Sequence, residues 1–245
     1  MKKLLTMLFL FMINIVNYSL INAYNYGIKP SKNNERPDAG SYIKLIDNKN
    51  NYYIGEDEKV LYLTFDLGYE LGYTSKILDT LKENDIKACF FITGYFLKNN
   101  PDLLIRMVNE NHIVGNHSYN HPDMTKLSNE KIKEELEKVE KEYKNITNTN
   151  LSKFVRPPRG IFDENYLKYT NSLGYKNIFW SLAYVDWKTD DQRGKDYAFK
   201  SVTTRLHNGA IILLHTVSKD NMEALDDIIK YAKKEGYIFK SLDEL

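Results

Sequence analysis

Val60-Leu61-Tyr62-Leu63-Thr64-Phe65 runs directly into Asp66, with Leu67-Gly68-Tyr69 behind it. A short uncharged run of bulky residues predicts a buried strand over 60–65. An aspartate is costly at the end of such a strand unless it has partners. In α/β folds the carboxyl ends of strands are where catalytic groups collect, because loops there vary without disturbing the core. The plainer alternative is a carboxylate that caps the turn or the next helix. Two other apolar runs end in the same manner: Phe154-Val155 enters Arg156-Pro157-Pro158-Arg159-Gly160, and Ala210-Ile211-Ile212-Leu213-Leu214 enters His215.

Working outward from this strand, apolar runs alternate with helical patterns. Strands are expected over 60–65, 88–93, 112–115, 153–156, 176–180, 210–214 and 237–240, and helices over 74–84, 101–110, 128–145, 163–173, 196–207 and 220–235. Such alternation implies parallel strands joined by crossover helices. Ser128 is a suitable N-cap for the helix it opens, and the Glu/Lys pairs that follow predict a solvated face. Periodicity does not separate an open doubly wound sheet from a closed barrel.

Asn116-His117-Ser118-Tyr119-Asn120-His121-Pro122 places two of the chain's five histidines four residues apart. Two imidazoles at that spacing can meet one metal ion, and a site with few protein ligands keeps a position open for chemistry. The same spacing also suits a polar helix face or a hydrogen-bonded turn before proline. His112 and His207 fall outside every motif and are expected to be ordinary residues.

The 245 residues suit one domain, and a formal net charge of +1 argues against a nucleic-acid surface. Lys2-Lys3, the apolar run Leu4 to Val16 and the ending Ile21-Asn22-Ala23 have the layout of a secretory signal peptide. Residues 1–23 are therefore expected to be a cleaved leader or an N-terminal anchor, which implies export to the cell envelope or the forespore intermembrane space. Residues 24–57 are polar, carry Pro30 and Pro37, lack a sustained period, and read as an N-terminal wrap or linker before a domain over 58–245. The single cysteine, Cys89, sits in the run Ala88-Cys89-Phe90-Phe91-Ile92 and reads as a core residue.

In their order, Asp66, His117, His121, Arg156, Asp186-Trp187 and His215 resemble the polysaccharide deacetylases of the NodB-homology type, carbohydrate esterase family 4. The likeness covers roughly residues 58 to 242. Within that family TFDLGYELGYT, NHSYNHPDMTKLS, RPPRGIF, WSLAYVDWK and ILLHTVSKDN are similar to the delta-lactam-biosynthetic de-N-acetylases of spore cortex peptidoglycan. The resemblance implies a distorted, incomplete (β/α) barrel of about seven parallel strands. It implies Asp66 as general base, Arg156 as the arginine that orients it, and His215 as general acid. His117 and His121 would hold a divalent metal, zinc first, with manganese or cobalt as alternatives. Arg159, Asp186, Trp187, Leu213 and Tyr69 are candidate substrate contacts, Trp187 and Leu213 walling the acetyl pocket; Asp186 could instead cap a helix or support His215. The backbone N–H near Arg159 matches the family's oxyanion donor.

Leu67 departs from the family pattern, since it stands where a second aspartate or an asparagine supplies the third metal ligand. Weak metal binding is expected, and Leu67→Asp would complete the site. A family acidic residue three positions before Asp186 is likewise replaced, by Ala183. The implied substrate is N-acetylmuramic acid in glycan strands lacking stem peptide, which makes action depend on an amidase and leads to muramic delta-lactam. Arg159 could grip the lactyl carboxylate through two parallel hydrogen bonds. The alternatives are a deacetylase of N-acetylglucosamine in peptidoglycan or chitin-like polymers, and a metal-poor barrel that binds glycan without hydrolysis. A monomer without nucleic-acid partners is expected.

Overall fold

A computed structural model describes residues 23–245, so the expected leader lies outside the described residues except for Ala23. The chain opens on β1 (Tyr24–Asn25), α1 (Ile43–Ile46) and β2 (Asn51–Tyr52). The alternation follows with β3 (Val60–Leu67), α2 (Thr74–Glu83), β4 (Cys89–Ile92), α3 (Gly94–Asn99), α4 (Pro101–Asn109), β5 (Ile113–Asn116), α5 (Asn129–Thr147) and β6 (Phe154–Val155). It is completed by β7 (Ile161–Phe162), α6 (Glu164–Ser172), β8 (Lys176–Ile178), β9 (Leu182–Ala183), α7 (Lys195–Thr203), β10 (Ala210–His215), α8 (Lys219–Lys234) and β11 (Ile238–Lys240). Helix α3 was not anticipated: a glycine opens it, and only Thr93, whose hydroxyl accepts from the Phe96 N–H, marks its start. Helix α7 ends sooner than the expected 207, because His207 is drawn into a loop by hydrogen bonds to Ser181 Oγ and the Arg205 carbonyl, both 2.8 Å.

Among the described residues nine strands form the main sheet, in the order β2-β8-β6-β5-β4-β3-β10-β9 with β11 also bonded to β3. All its ladders are parallel. The count exceeds the expected seven because β2 and β9, two residues each, are too short to register as apolar runs. The sheet is curled into an incomplete barrel, and the chain itself shows why. Strands β8 and β9 stand six places apart in the sheet, which would separate them by about 29 Å if it were flat. Yet only Phe179-Trp180-Ser181 lies between them, and four Cα steps span at most about 14 Å. The linking residues bond to both ends of the sheet, Phe179 N–H donating to the Tyr52 carbonyl at 2.7 Å and Ser181 N–H to the Ile211 carbonyl at 3.0 Å.

Alternation along the strands then sorts side chains into two environments. On β3, Leu61, Leu63, Phe65 and Leu67 join the large apolar cluster shared with α2 and α8, while Val60 and Tyr62 belong to a separate cluster with Cys89, Phe91 and Ile211. Thr64 and Asp66 continue this second face toward the carboxyl ends of the strands. Residues 24–57 are packed against the barrel rather than trailing from it. Tyr26, Ala39, Ile46, Tyr53 and Ile54 are buried, and Arg36 donates to the carbonyls of Asn208 and Gly55 at 3.0 and 2.8 Å.

Candidate active site

The three polar strand ends converge. Asp66 and His215 are directly paired in the β3–β10 register, and Arg156 N–H donates to the Asn116 carbonyl at 3.0 Å as β6 leaves β5. Among the described residues Arg156 is the largest fully buried side chain. Its Nη1 donates to Asp66 Oδ1 at 2.8 Å, Nη2 to Thr64 Oγ1 at 2.9 Å and the Phe179 carbonyl at 3.0 Å, and Nε to the Ile178 carbonyl at 3.0 Å. Thr64 Oγ1 in turn donates to the Ile212 carbonyl at 2.6 Å. The guanidinium also lies 4.3 Å from the centre of the Phe91 ring. A buried charge is tolerable only when paired and bonded in this way. Burial alone would raise the Asp66 pKa, but the charges of Arg156, His117 and His215 together with the Arg156 hydrogen bond outweigh it, so the carboxyl is held below its ordinary value.

His117 sits beside this base with a defined tautomer. Its Nδ1 is 2.9 Å from the Arg156 carbonyl, which can only accept, so Nδ1 carries the proton and Nε2 keeps its lone pair. That lone pair faces Asp66 Oδ2 at 3.5 Å. Burial lowers the His117 pKa, and it takes His121 down to about 4, so both rings are neutral at neutral pH. The two rings meet edge to face at 4.9 Å. A neutral imidazole nitrogen and a carboxylate oxygen facing each other repel unless a cation or a donor lies between them. The separation matches the edge of about 3.4 Å expected of a tetrahedral site with nitrogen and oxygen ligands. The donors therefore fit a divalent first-row ion, although among the described residues no set of three His, Cys, Asp or Glu side chains forms a full ligand group.

On the neighbouring strand β10, His215 Nδ1 meets Asp186 Oδ1 at 2.7 Å, and the His215 backbone N–H donates to Asp186 Oδ2 at 2.8 Å. Asn221 Nδ2 also donates to Asp186 Oδ2, at 2.6 Å, and Tyr184 OH donates to Asn221 Oδ1. Burial works against a charged His215, but the charge and hydrogen bond of Asp186, with Asp66 farther off, raise its pKa above the ordinary 6.5. The shift is in the direction that favours a general acid. Asp186 is buried and does not line the cleft, so its grouping with the substrate contacts is corrected: it supports His215 from behind.

A cleft of about 1630 Å³ opens over these groups, beyond the roughly 300–1,000 Å³ usual for small-molecule pockets and suited to a polymer. Asp66, His117, His121, Arg159, Leu213 and His215 line it. Six of the nine exposed large apolar side chains among the described residues line it too: Tyr69, Leu71, Tyr95, Val185, Trp187 and Tyr197. Such a patch marks a ligand groove. Trp187 packs edge-on to His215 with ring centres 5.6 Å apart. Arg159 is exposed in a left-handed turn (φ 58°, ψ 11°), and among the described residues no hydrogen bond or ion pair engages its side chain.

Comparison with known proteins agrees with this constellation. Residues 54–178 match the family model for polysaccharide deacetylase. The chain is 50% identical over 223 residues to the peptidoglycan-N-acetylmuramic acid deacetylase PdaA of Bacillus subtilis, covering 90% of this chain and 85% of that one. The chain belongs to the polysaccharide deacetylase family. The structure of B. subtilis PdaA, a family 4 carbohydrate esterase, superposes with a TM-score of 0.88 over 91% of this chain and 96% of that chain. A family 4 pseudoenzyme from Bacillus anthracis is 33% identical, with a TM-score of 0.74 over 79% of this chain and 68% of that one.

Seen in this deacetylase, Leu67 has a different meaning from the one its position suggested. It is fully buried, belongs to the apolar cluster outside the barrel and does not line the cleft. Period-two alternation sends it away from Asp66, so an aspartate placed there would enter the core and leave the His117, His121 and Asp66 grouping as it is. The sequence also left several cleft residues unassigned, among them Tyr26, Gly27, Ile28, Tyr95, Tyr119 and Trp180. Tyr26 to Ile28 come from the wrap, where no motif pointed to them.

Proposed function

We propose that this deacetylase removes the acetyl group from N-acetylmuramic acid in peptidoglycan glycan strands lacking stem peptide, acting in the cell envelope after export. The observation that carries the substrate is Arg159, whose guanidinium no hydrogen bond or ion pair engages among the described residues and which lines the same cleft as Asp66 and His215. Muramic acid differs from glucosamine by a lactyl group, whose carboxylate is free once an amidase has removed the peptide. Arginine rewards that carboxylate with paired hydrogen bonds, and a neutral sugar offers nothing equivalent. The name of the B. subtilis relative supports the same choice.

Hydrolysis assigns one task to each group. Asp66, ionised and steered by Arg156, takes a proton from the attacking water as its oxygen adds to the acetyl carbon. The backbone N–H near Arg159 meets the developing oxyanion. His215, whose protonated form Asp186 favours, gives its proton to the departing nitrogen; the C–N bond breaks, acetate leaves and a free amine remains on the sugar. His117 and His121, with Asp66 beside them, would hold a divalent ion, zinc first and manganese or cobalt as alternatives, which supplies Lewis acidity to the carbonyl. Two imidazoles make that binding loose. The freed amine lies on the same sugar as the lactyl carboxylate, and their condensation with loss of water yields the muramic delta-lactam of spore cortex.

A second reading, glycan binding without hydrolysis, is favoured by the likeness to a pseudoenzyme and by the lack, among the described residues, of a third His, Cys, Asp or Glu side chain that completes a ligand group. Against it stand the retained base, arginine and acid. Mass spectrometry of peptide-stripped glycan after incubation with the protein and defined metals separates the two. Acetate loss confined to muramic acid, abolished by chelation and restored by zinc, is expected. Equal rates on chitin oligomers refute the specificity, and glycan binding without acetate release under any metal supports the second reading.

A further inference from the structure

Arg159 and Gly160 are consecutive left-handed residues, with φ of 58° and 69°. For arginine this conformation is unfavourable and persists only where surrounding structure imposes it. The N-terminal wrap imposes it from one side. Strand β1 pairs antiparallel with β7, aligning Tyr24 with Phe162 and Asn25 with Ile161 immediately after the turn. Tyr26 N–H then donates to the Gly160 carbonyl at 3.0 Å, and Tyr26 OH to the Trp180 carbonyl at 2.6 Å. Its ring stands edge-on to Trp180 at 5.0 Å and tilted against Phe179 at 4.9 Å. The fit is close: a Cβ on Gly160 would lie 2.8 Å from Trp180 Cη2 and 3.3 Å from Tyr26 Cβ. Tyr26 is thus buried under the turn that presents Arg159 to the cleft, which Tyr26, Gly27 and Ile28 also line.

We infer that Tyr26 is a positioning residue for substrate choice: it clamps the Arg159-Gly160 turn so that the guanidinium is aimed at a carboxylate on the glycan. The inference rests on the proposed role of Arg159, and its test reads binding, which does not require turnover. Calorimetric titration compares peptide-free muramyl glycan with the same glycan after methyl esterification of its lactyl carboxylates. The native protein should prefer the free acid by about 10-fold or more. Tyr26→Ala should erase most of that preference while changing affinity for the ester little, and Arg159→Gln should do the same. The double variant should be no worse than Arg159→Gln alone, since both changes remove one contact. Tyr26→Phe keeps the ring and should lose only part of the preference, which provides the readout if Tyr26→Ala does not fold. Equal weakening toward acid and ester, additive losses in the double variant, or no preference in the native protein each overturn the clamp. Preserved acid preference without acetate release would instead sink the deacetylase reading and leave the clamp standing.

Discussion

The two faces of β3 are equally buried and chemically opposed. One carries Leu61, Leu63, Phe65 and Leu67 into the apolar layer against the helices; the other carries Tyr62, Thr64 and Asp66 toward the barrel axis, where Arg156 waits. Strand β10 repeats the division, with Ile212 and Leu214 outward and Leu213 and His215 at the cleft. The outward face derives its stability from contact area, at about 25 cal/mol per Å² of apolar surface removed from water. The inward face holds a desolvated ion pair, and its stability depends on every partner being present.

That contrast can be broken most forcefully at Arg156. Arg156→Met leaves Asp66 buried without its cation and strips Thr64 and the carbonyls of Ile178 and Phe179 of their donor, so unfolding free energy should fall by about 3–5 kcal/mol. Denaturant titration checks it, and a variant as stable as the native protein would mean that the inward network contributes nothing to the fold. Leu67→Asp attacks the other face. It should cost about 3 kcal/mol or more by putting a carboxylate into the apolar cluster. Zinc affinity, measured by calorimetry on chelator-treated protein, should stay at the native value; a clear tightening would show that position 67 turns into the cleft. The subtlest probe is pH. Activity needs Asp66 ionised and His215 protonated, so it should fall in acid only once Asp66, with its lowered pKa, takes up a proton, and fall in alkali as pH rises through the raised pKa of His215. Asp186→Asn removes the charge that raises the latter, and the alkaline limb of kcat/KM should move to lower pH. An unmoved limb would assign the retained proton to some other group.

The long strands and helices were legible because each has a period or an apolar run, and Asp66, Arg156 and His215 were legible because each interrupts such a run at its end. Even the direction of Leu67 was available, since it follows Asp66 on the same strand and period-two alternation sends it to the opposite face. Family position obscured that simple rule. Residues 24–57 were opaque for another reason. Tyr26 works through contacts with Gly160 and Trp180, far away in sequence, and two-residue strands such as β1 and β7 carry no periodicity.

Closure of the sheet by Phe179-Trp180-Ser181 has a consequence for how the chain reaches this state. The segment joins Tyr52 to Ile211, residues far apart along the chain, and its carbonyls also satisfy Arg156 and Tyr26. These bonds cannot form until both sheet ends exist, so barrel closure is a late, high-contact-order event. Until it happens, both ends of the sheet present unpaired backbone to other molecules. A chain held at that open-edged stage is exposed to edge-to-edge association, which makes the speed of closure a determinant of how much protein survives to act.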